Sequence, residues 1–385
     1  MTNVMGRIWY DVRVRAWFIQ IVILAGFVGT ISWLAVNTAE NLARRGIRTG
    51  FEFLSGAARF PIAESLIAYD PTSSYLRAFT VGLINTLHVS ILTIVIATIL
   101  GAVIGMGRRS ANPVVANMAG VYVEVFRNTP LVVQLLFWYG LLTLAMPASR
   151  AALEPVPGVF LSLRGLFFPW PVWNETIALL LMIGVAGIAA SISIAAISRR
   201  DGRLLKRRSL IHKTILAMSA VGIAAAIATG TVRFDWPALS GFNFEGGATL
   251  TPEFTALMVG LVLYTAAFVA EIVRGAIAAV PKGQWEAGWA VGLRERQILR
   301  LVVLPQALRL MVPPMTSQYL NVVKNTTLAL AVGYPDFAAV VATTINQTNQ
   351  AIEGVAILMA VYLSISLSIS LFMNWYNASV ALVQR

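Results

Sequence analysis

The chain has 385 residues, of which 58% are hydrophobic and 12% charged, with 29 Lys+Arg against 17 Asp+Glu and no cysteine. Soluble domains carry about 25% charged residues, so this chain has too few charges to cover a globule in water and must lie mainly in lipid. That excludes a soluble enzyme, a disordered chain and a disulfide scaffold, and two histidines leave little material for a His-based metal site or a Ser-His triad.

A membrane-spanning helix needs about 20 mostly apolar residues. Eight runs qualify: 17–37, 82–106, 122–146, 176–197, 214–232, 254–280, 307–333 and 355–376. Arg7, Arg13 and Arg15 precede the first, as in a secretory signal. Its length exceeds the roughly 7 to 15 residues of a signal core and no small-x-small cleavage site follows, so it reads as a retained helix. Most cations then fall on the side of the N-terminus, above all in 198–213, which holds Arg199, Arg200, Arg203, Lys206, Arg207, Arg208 and Lys213. This bias places both termini in the cytoplasm. Arg44, Arg45 and Arg48 run against it, in a longer loop where the rule is weaker.

The outside segments are 38–81, 147–175, 233–253 and 334–354, none long enough to fold as a separate domain. Residues 73–79 mix polar and aromatic side chains, which predicts a short amphipathic helix along the interface. Segment 147–175, rich in Pro, Trp170 and Trp173, reads as an irregular loop held at the headgroups by its tryptophans.

One cytoplasmic loop, 281–305, carries a docking pattern. Pro281 suits a helix start, Gly292 a stop, and Leu293, Ile298, Leu301 and Val302 resume helical spacing, which predicts helix, tight turn, helix. From physics alone an amphipathic loop resting on the bilayer fits as well. The segment resembles the EAA motif of ABC-transporter membrane subunits: Glu-Ala-Ala, three residues, Gly, nine residues, Ile-x-Leu-Pro. Glu286, Ala287, Gly292, Leu304 and Pro305 match in register, with Gly288 for the second Ala and Val302 for Ile.

Other segments resemble the polar amino-acid permeases of that group. Arg127-Asn128-Thr129-Pro130-Leu131 is similar to their Arg-Gly-Thr-Pro-Leu, and 270–275 and 324–328 are similar to two further stretches. Within the group, the general L-amino-acid permeases of Gram-negative bacteria are also resembled around Asn37 to Leu42.

The resemblance implies an all-α polytopic protein of about eight spans with the type I importer fold: five core helices, an extra N-terminal helix and an inserted helix pair. Its parts are 1–81, the N-terminal segment, first helix and outer loop; 82–146, the first two core helices; 147–253, the insertion; and 254–385, the last three core helices with the coupling loop at 282–305. It implies a bacterial inner-membrane subunit, itself not an enzyme, that translocates L-amino acids by alternating access. Glu286, Ala287, Gly288, Gly292, Leu304 and Pro305 would dock a separate ATPase. The chain contains no Gly-x-x-x-x-Gly-Lys-Ser/Thr loop, so it would carry no cofactor, and ATP and Mg would bind the partner. Expected partners are a second, related permease subunit in a heterodimer, ABC ATPase subunits, a periplasmic amino-acid-binding protein, the substrate and lipid, without nucleic acid or a metal. A secondary transporter or channel without an ATPase is the alternative.

Charges at span depth cost about 2.5 to 3.5 kcal/mol each. Glu124 with Arg127, and Glu271 with Arg274, lie three apart and can pair on one helix face. A zwitterionic substrate needs partners of both signs, so Glu271, Arg127 and Lys324, with the uncharged Asn325, Thr326 and Asn85, are the candidate pathway residues.

Overall fold

A computed structural model describes residues 12–172 apart from 45, 47 and 48, residue 182, and residues 233–380. The fourth and fifth predicted spans and the basic loop 198–213 lie outside these residues. In chain order the helices are α1 (Val12–Arg44), α2 (Tyr75–Gly107), α3 (Pro113–Asn128), α4 (Leu131–Gly140), α5 (Pro252–Ala278), α6 (Lys282–Ala290), α7 (Glu295–Ile298), α8 (Leu304–Asn325), α9 (Phe337–Thr348) and α10 (Ala351–Val380). Five stretches are long and apolar enough to span a bilayer, and α3 with the α4 segment to Ala145 reaches that length and apolarity only as a pair, bent by 102°. The third predicted span is therefore not one straight helix: it begins at Pro113 and breaks at Thr129-Pro130. Pro130 has no N–H to continue the ladder.

Two compact units divide the chain, Met1–Val95 with Ile272–Arg385, and Ile96–Glu271. In the first unit the segment after α1 folds into a closed outer loop. Ala58 N–H donates to Ser73 O at 2.8 Å and Tyr75 N–H to Gly56 O at 3.0 Å. Ala58, Phe60, Tyr75, Ala78 and Phe79 pack there against Phe337, Val340 and Val341 of α9. The interfacial helix expected at 73–79 is thus replaced by the first turn of α2, whose aromatic residues face this protein core. The last helix is tied to the same segment, since Gly50 N–H donates to Glu353 Oε1 at 2.8 Å.

In the second unit, strands from the outer segments 147–175 and 233–253 pair with each other, where an irregular loop was expected over 147–175. Strands β1 (Leu153–Val156), β2 (Val159–Ser162) and β3 (Gly165–Phe168) are followed by β4 (Trp170–Pro171), β5 (Phe234–Asp235), β6 (Ala238–Ser240), β7 (Asn243–Glu245) and β8 (Ala248–Leu250). One antiparallel sheet runs β1-β2-β3-β8, with Phe167 opposite Thr249, and β4-β5 and β6-β7 form ribbons. Phe244 stacks on Phe160 at 4.6 Å and lies 4.9 Å from Phe167, giving these small sheets an aromatic core. Gly101 of α2 lets α5 approach closely, because a Cβ there would lie 2.6 Å from Val269 Cβ.

Candidate coupling loop and membrane-depth polar groups

The loop predicted as helix, turn, helix folds that way. Gly292 takes φ +78, a left-handed conformation that costs other residues about 1–2 kcal/mol. Leu293 N–H donates to Gly288 O at 3.1 Å and Gly292 N–H to Trp289 O at 2.9 Å, the paired bonds of a Schellman stop. The next helix opens with Arg294 N–H donating to the side-chain oxygen of Gln297 at 2.9 Å.

Leu304-Pro305 also has a structural cause. Pro305 cannot donate to Leu301 O and its ring crowds that carbonyl; the chain meets this with a π turn over Leu299–Val303. Gln306 Nε2 then donates to Val302 O and to Gln284 Oε1, both at 3.0 Å, tying α6 to α8. The sequence reading passed over Gln284 and Gln306, because only their spatial meeting reveals the brace.

Of the small residues expected to let a partner approach, Gly288 faces inward. A Cβ there would lie 2.7 Å from Cγ1 of the fully buried Ile298. Glu286, Ala287 and Gly292 are exposed, as are Trp289 at 56% and Val291 at 73%. The Trp285 and Trp289 rings lie 6.5 Å apart. Lys282, Arg294, Glu295 and Arg296 are exposed as well, so the outward face sets apolar groups and bare backbone among charges of both signs.

The six pathway candidates have distinct surroundings. In the first unit, Asn85 is buried and its Nδ2 donates to Glu64 O and Pro335 O, each at 2.9 Å. Beside it, Thr86 Oγ1 accepts from Phe337 N–H at 2.9 Å. Thr326 is buried, with Oγ1 donating to Val323 O at 2.7 Å. Asn325 is half-buried and Lys324 exposed. This region also holds Asp336, fully buried, which caps α9 by accepting from Ala339 N–H at 2.9 Å and from Tyr362 Oη at 3.2 Å. Burial raises the Asp336 carboxyl to about 6, against the lowering pull of those bonds. A cavity of about 360 Å³ lies between Phe60–Ala63, Leu330, Pro335 and one side of α9, and none of the six candidates lines it.

In the second unit, Glu271 is bonded by the guanidinium of Arg108 at the end of α2. Arg127 makes no ion pair with Glu124; it is exposed and stacks over the Phe268 ring, 5.0 Å from its centroid. Around the α3–α4 break, Gln134 is buried and its Nε2 donates to Phe126 O and Thr129 O, each at 2.9 Å. That side chain replaces the partners which Pro130 removes.

Residues 97–382 match the family described as "Binding-protein-dependent transport system inner membrane component". The chain is 44% identical over 377 residues to the putative amino-acid ABC transporter permease protein YhdX of Escherichia coli (strain K12), covering 97% of this chain and 95% of that one. It is 44% identical to the general L-amino acid transport system permease protein AapQ of Rhizobium johnstonii, over 98% and 94% of the two chains. Identity is 36% to the glutamate/glutamine/aspartate/asparagine transport system permease protein BztB of Rhodobacter capsulatus, over 98% and 96%.

Proposed function

The chain belongs to the family of binding-protein-dependent transport system inner membrane components, and from that premise we propose that it carries L-amino acids inward by alternating access. It is the membrane permease subunit of an ABC importer. ATP hydrolysis is assigned to a separate chain that grips the 282–305 loop, and substrate arrives on a periplasmic binding protein. ATP-driven movement of the loop would shift the passage between outward-open and inward-open states.

The observation that carries this reading is the coupling loop itself. Its turn is closed by backbone bonds and its core by Gly288 against Ile298, so the exposed Glu286, Ala287, Trp289, Val291 and Gly292 form a rigid docking face. A second permease chain completes the passage, and both termini lie in the cytoplasm. Arg127, Lys324, Glu271 and the uncharged Asn85, Asn325 and Thr326 are the side chains assigned to the passage or its supports.

Copurification followed by uptake into vesicles tests the proposal. An ATPase should bind stoichiometrically and be lost when the loop is altered, and uptake of L-amino acids should require both ATP and the binding protein. Uptake that needs neither would establish a secondary transporter instead.

A further inference from the structure

Arg127 lies in the last turn of α3, next to the break in a bent helix pair that is together long and apolar enough to span the bilayer. Interrupted helices at membrane depth are tolerated where they are buried in protein or line a cavity, and a cation at that depth needs a partner or water. Among the described residues Arg127 has no carboxylate; it rests on the face of Phe268, which leaves its planar donors unused. Two further features meet at the same break. The first two amides of α4, those of Leu131 and Val132, have no acceptor within the helix, whose ladder starts with Val133 and Gln134 N–H donating to Pro130 O. Gln134, 95% buried, reaches back with Nε2 to Phe126 O and Thr129 O, and its Oε1 is buried without a hydrogen-bond partner. A buried orphan acceptor calls for a donor that the chain does not supply.

We propose that the α3–α4 break is a carboxylate station in the passage, where Arg127, held in orientation by Phe268, takes the α-carboxylate of an amino acid in transit, while the ammonium group on the same carbon donates to the orphan Gln134 Oε1. This rests on the reading of the chain as an amino-acid permease. The first amides of α4 lie at the same break and add positive potential. Glu271 is not the counterpart that receives the ammonium group, since Arg108 already bonds its carboxylate.

The test is equilibrium binding of L-glutamine, with L-glutaminamide as the probe lacking a carboxylate, to the purified nucleotide-free complex. Binding protein is omitted so that any preference belongs to the membrane chains. The wild-type complex should favour glutamine, and Arg127→Gln should reduce that preference at least tenfold. Arg127→Lys keeps the charge at the helix end but loses the fork, and should reduce it by a smaller factor. An unchanged preference in either assembled variant, failure of both to assemble, or no glutamine binding by the wild type overturns the station. Whether liganded binding protein stimulates the wild-type ATPase is measured alongside. Absent stimulation counts against the importer reading itself, independently of Arg127.

Discussion

Arg108, the first residue past α2, holds the carboxylate of Glu271 on α5, a bond between residues 163 positions apart. Their side chains are 22% and 27% exposed, between a surface pair and a buried one, so the coupling should be about 1–3 kcal/mol. Arg108→Gln and Glu271→Gln should each lower the melting temperature of the purified complex, and the double variant should be no worse than the worse single one. Additive losses would show that the two residues act separately.

Gly288→Ala should disturb the coupling loop although alanine is the commoner motif residue. The added Cβ would sit 2.7 Å from Ile298 Cγ1, and overpacking of this kind costs about 1–3 kcal/mol. Ile298→Val, which trims the side chain that collides, should restore part of the loss in thermal stability and in binding-protein-stimulated ATPase activity. Equal damage with and without Ile298→Val would locate the defect elsewhere.

Gly292→Glu should leave the chain inserted but uncouple transport from ATP. It places a side chain where φ is +78 and a charge on the exposed docking face. Unchanged substrate-stimulated ATPase activity in a reconstituted complex would remove the loop from the docking role.

Asp336 predicts a pH dependence of stability. Its carboxyl is raised from an ordinary value of 3.8 to about 6, so between these values the folded chain holds a proton that the unfolded chain has released. The stabilisation is complete below about pH 4, declines as pH rises, and is lost above about pH 6. Asp336→Asn keeps an acceptor oxygen for Ala339 N–H and presents an amide N–H to Tyr362 Oη, which can turn to accept it, and should flatten that slope in thermal melts at pH 4 to 8. A slope unaffected by the substitution would assign it to other groups.

Gln134→Leu should cost more than its volume change implies. Phe126 O and Thr129 O would lose their shared donor inside the bent pair, and a buried unpaired group costs about 1–3 kcal/mol. Gln134→Glu should behave as badly, since it replaces the donor by an acceptor. A Gln134→Leu complex that melts at the wild-type temperature would show that other groups satisfy those carbonyls.

What could be read in advance follows from the range of the interaction involved. The coupling loop was legible because its determinants are local: Pro281, Gly292 and Pro305 each act on backbone within a turn. The spans around residues 82–106, 254–280 and 355–376 were legible from their apolar length. Tyr75 and Phe79 misled, because amphipathic spacing does not say whether the apolar face meets lipid or Phe337. The outer sheet was hidden for a stronger reason. Its β3–β8 pairing joins Phe167 to Thr249, 82 positions apart, and strands of three or four residues have too little alternation to announce themselves. The Arg108 partnership of Glu271 was missed, since helical spacing reveals neighbours along one helix and not across two.

The β4–β5 ribbon has a consequence for how such a chain is put together. Val172 N–H donates to Arg233 O at 2.9 Å and Trp170 pairs with Asp235, so residues more than 60 positions apart in the chain are clasped backbone to backbone, and β3 and β8 are paired beyond the clasp. None of these bonds uses a side chain, so the clasp tolerates substitution along both of its edges.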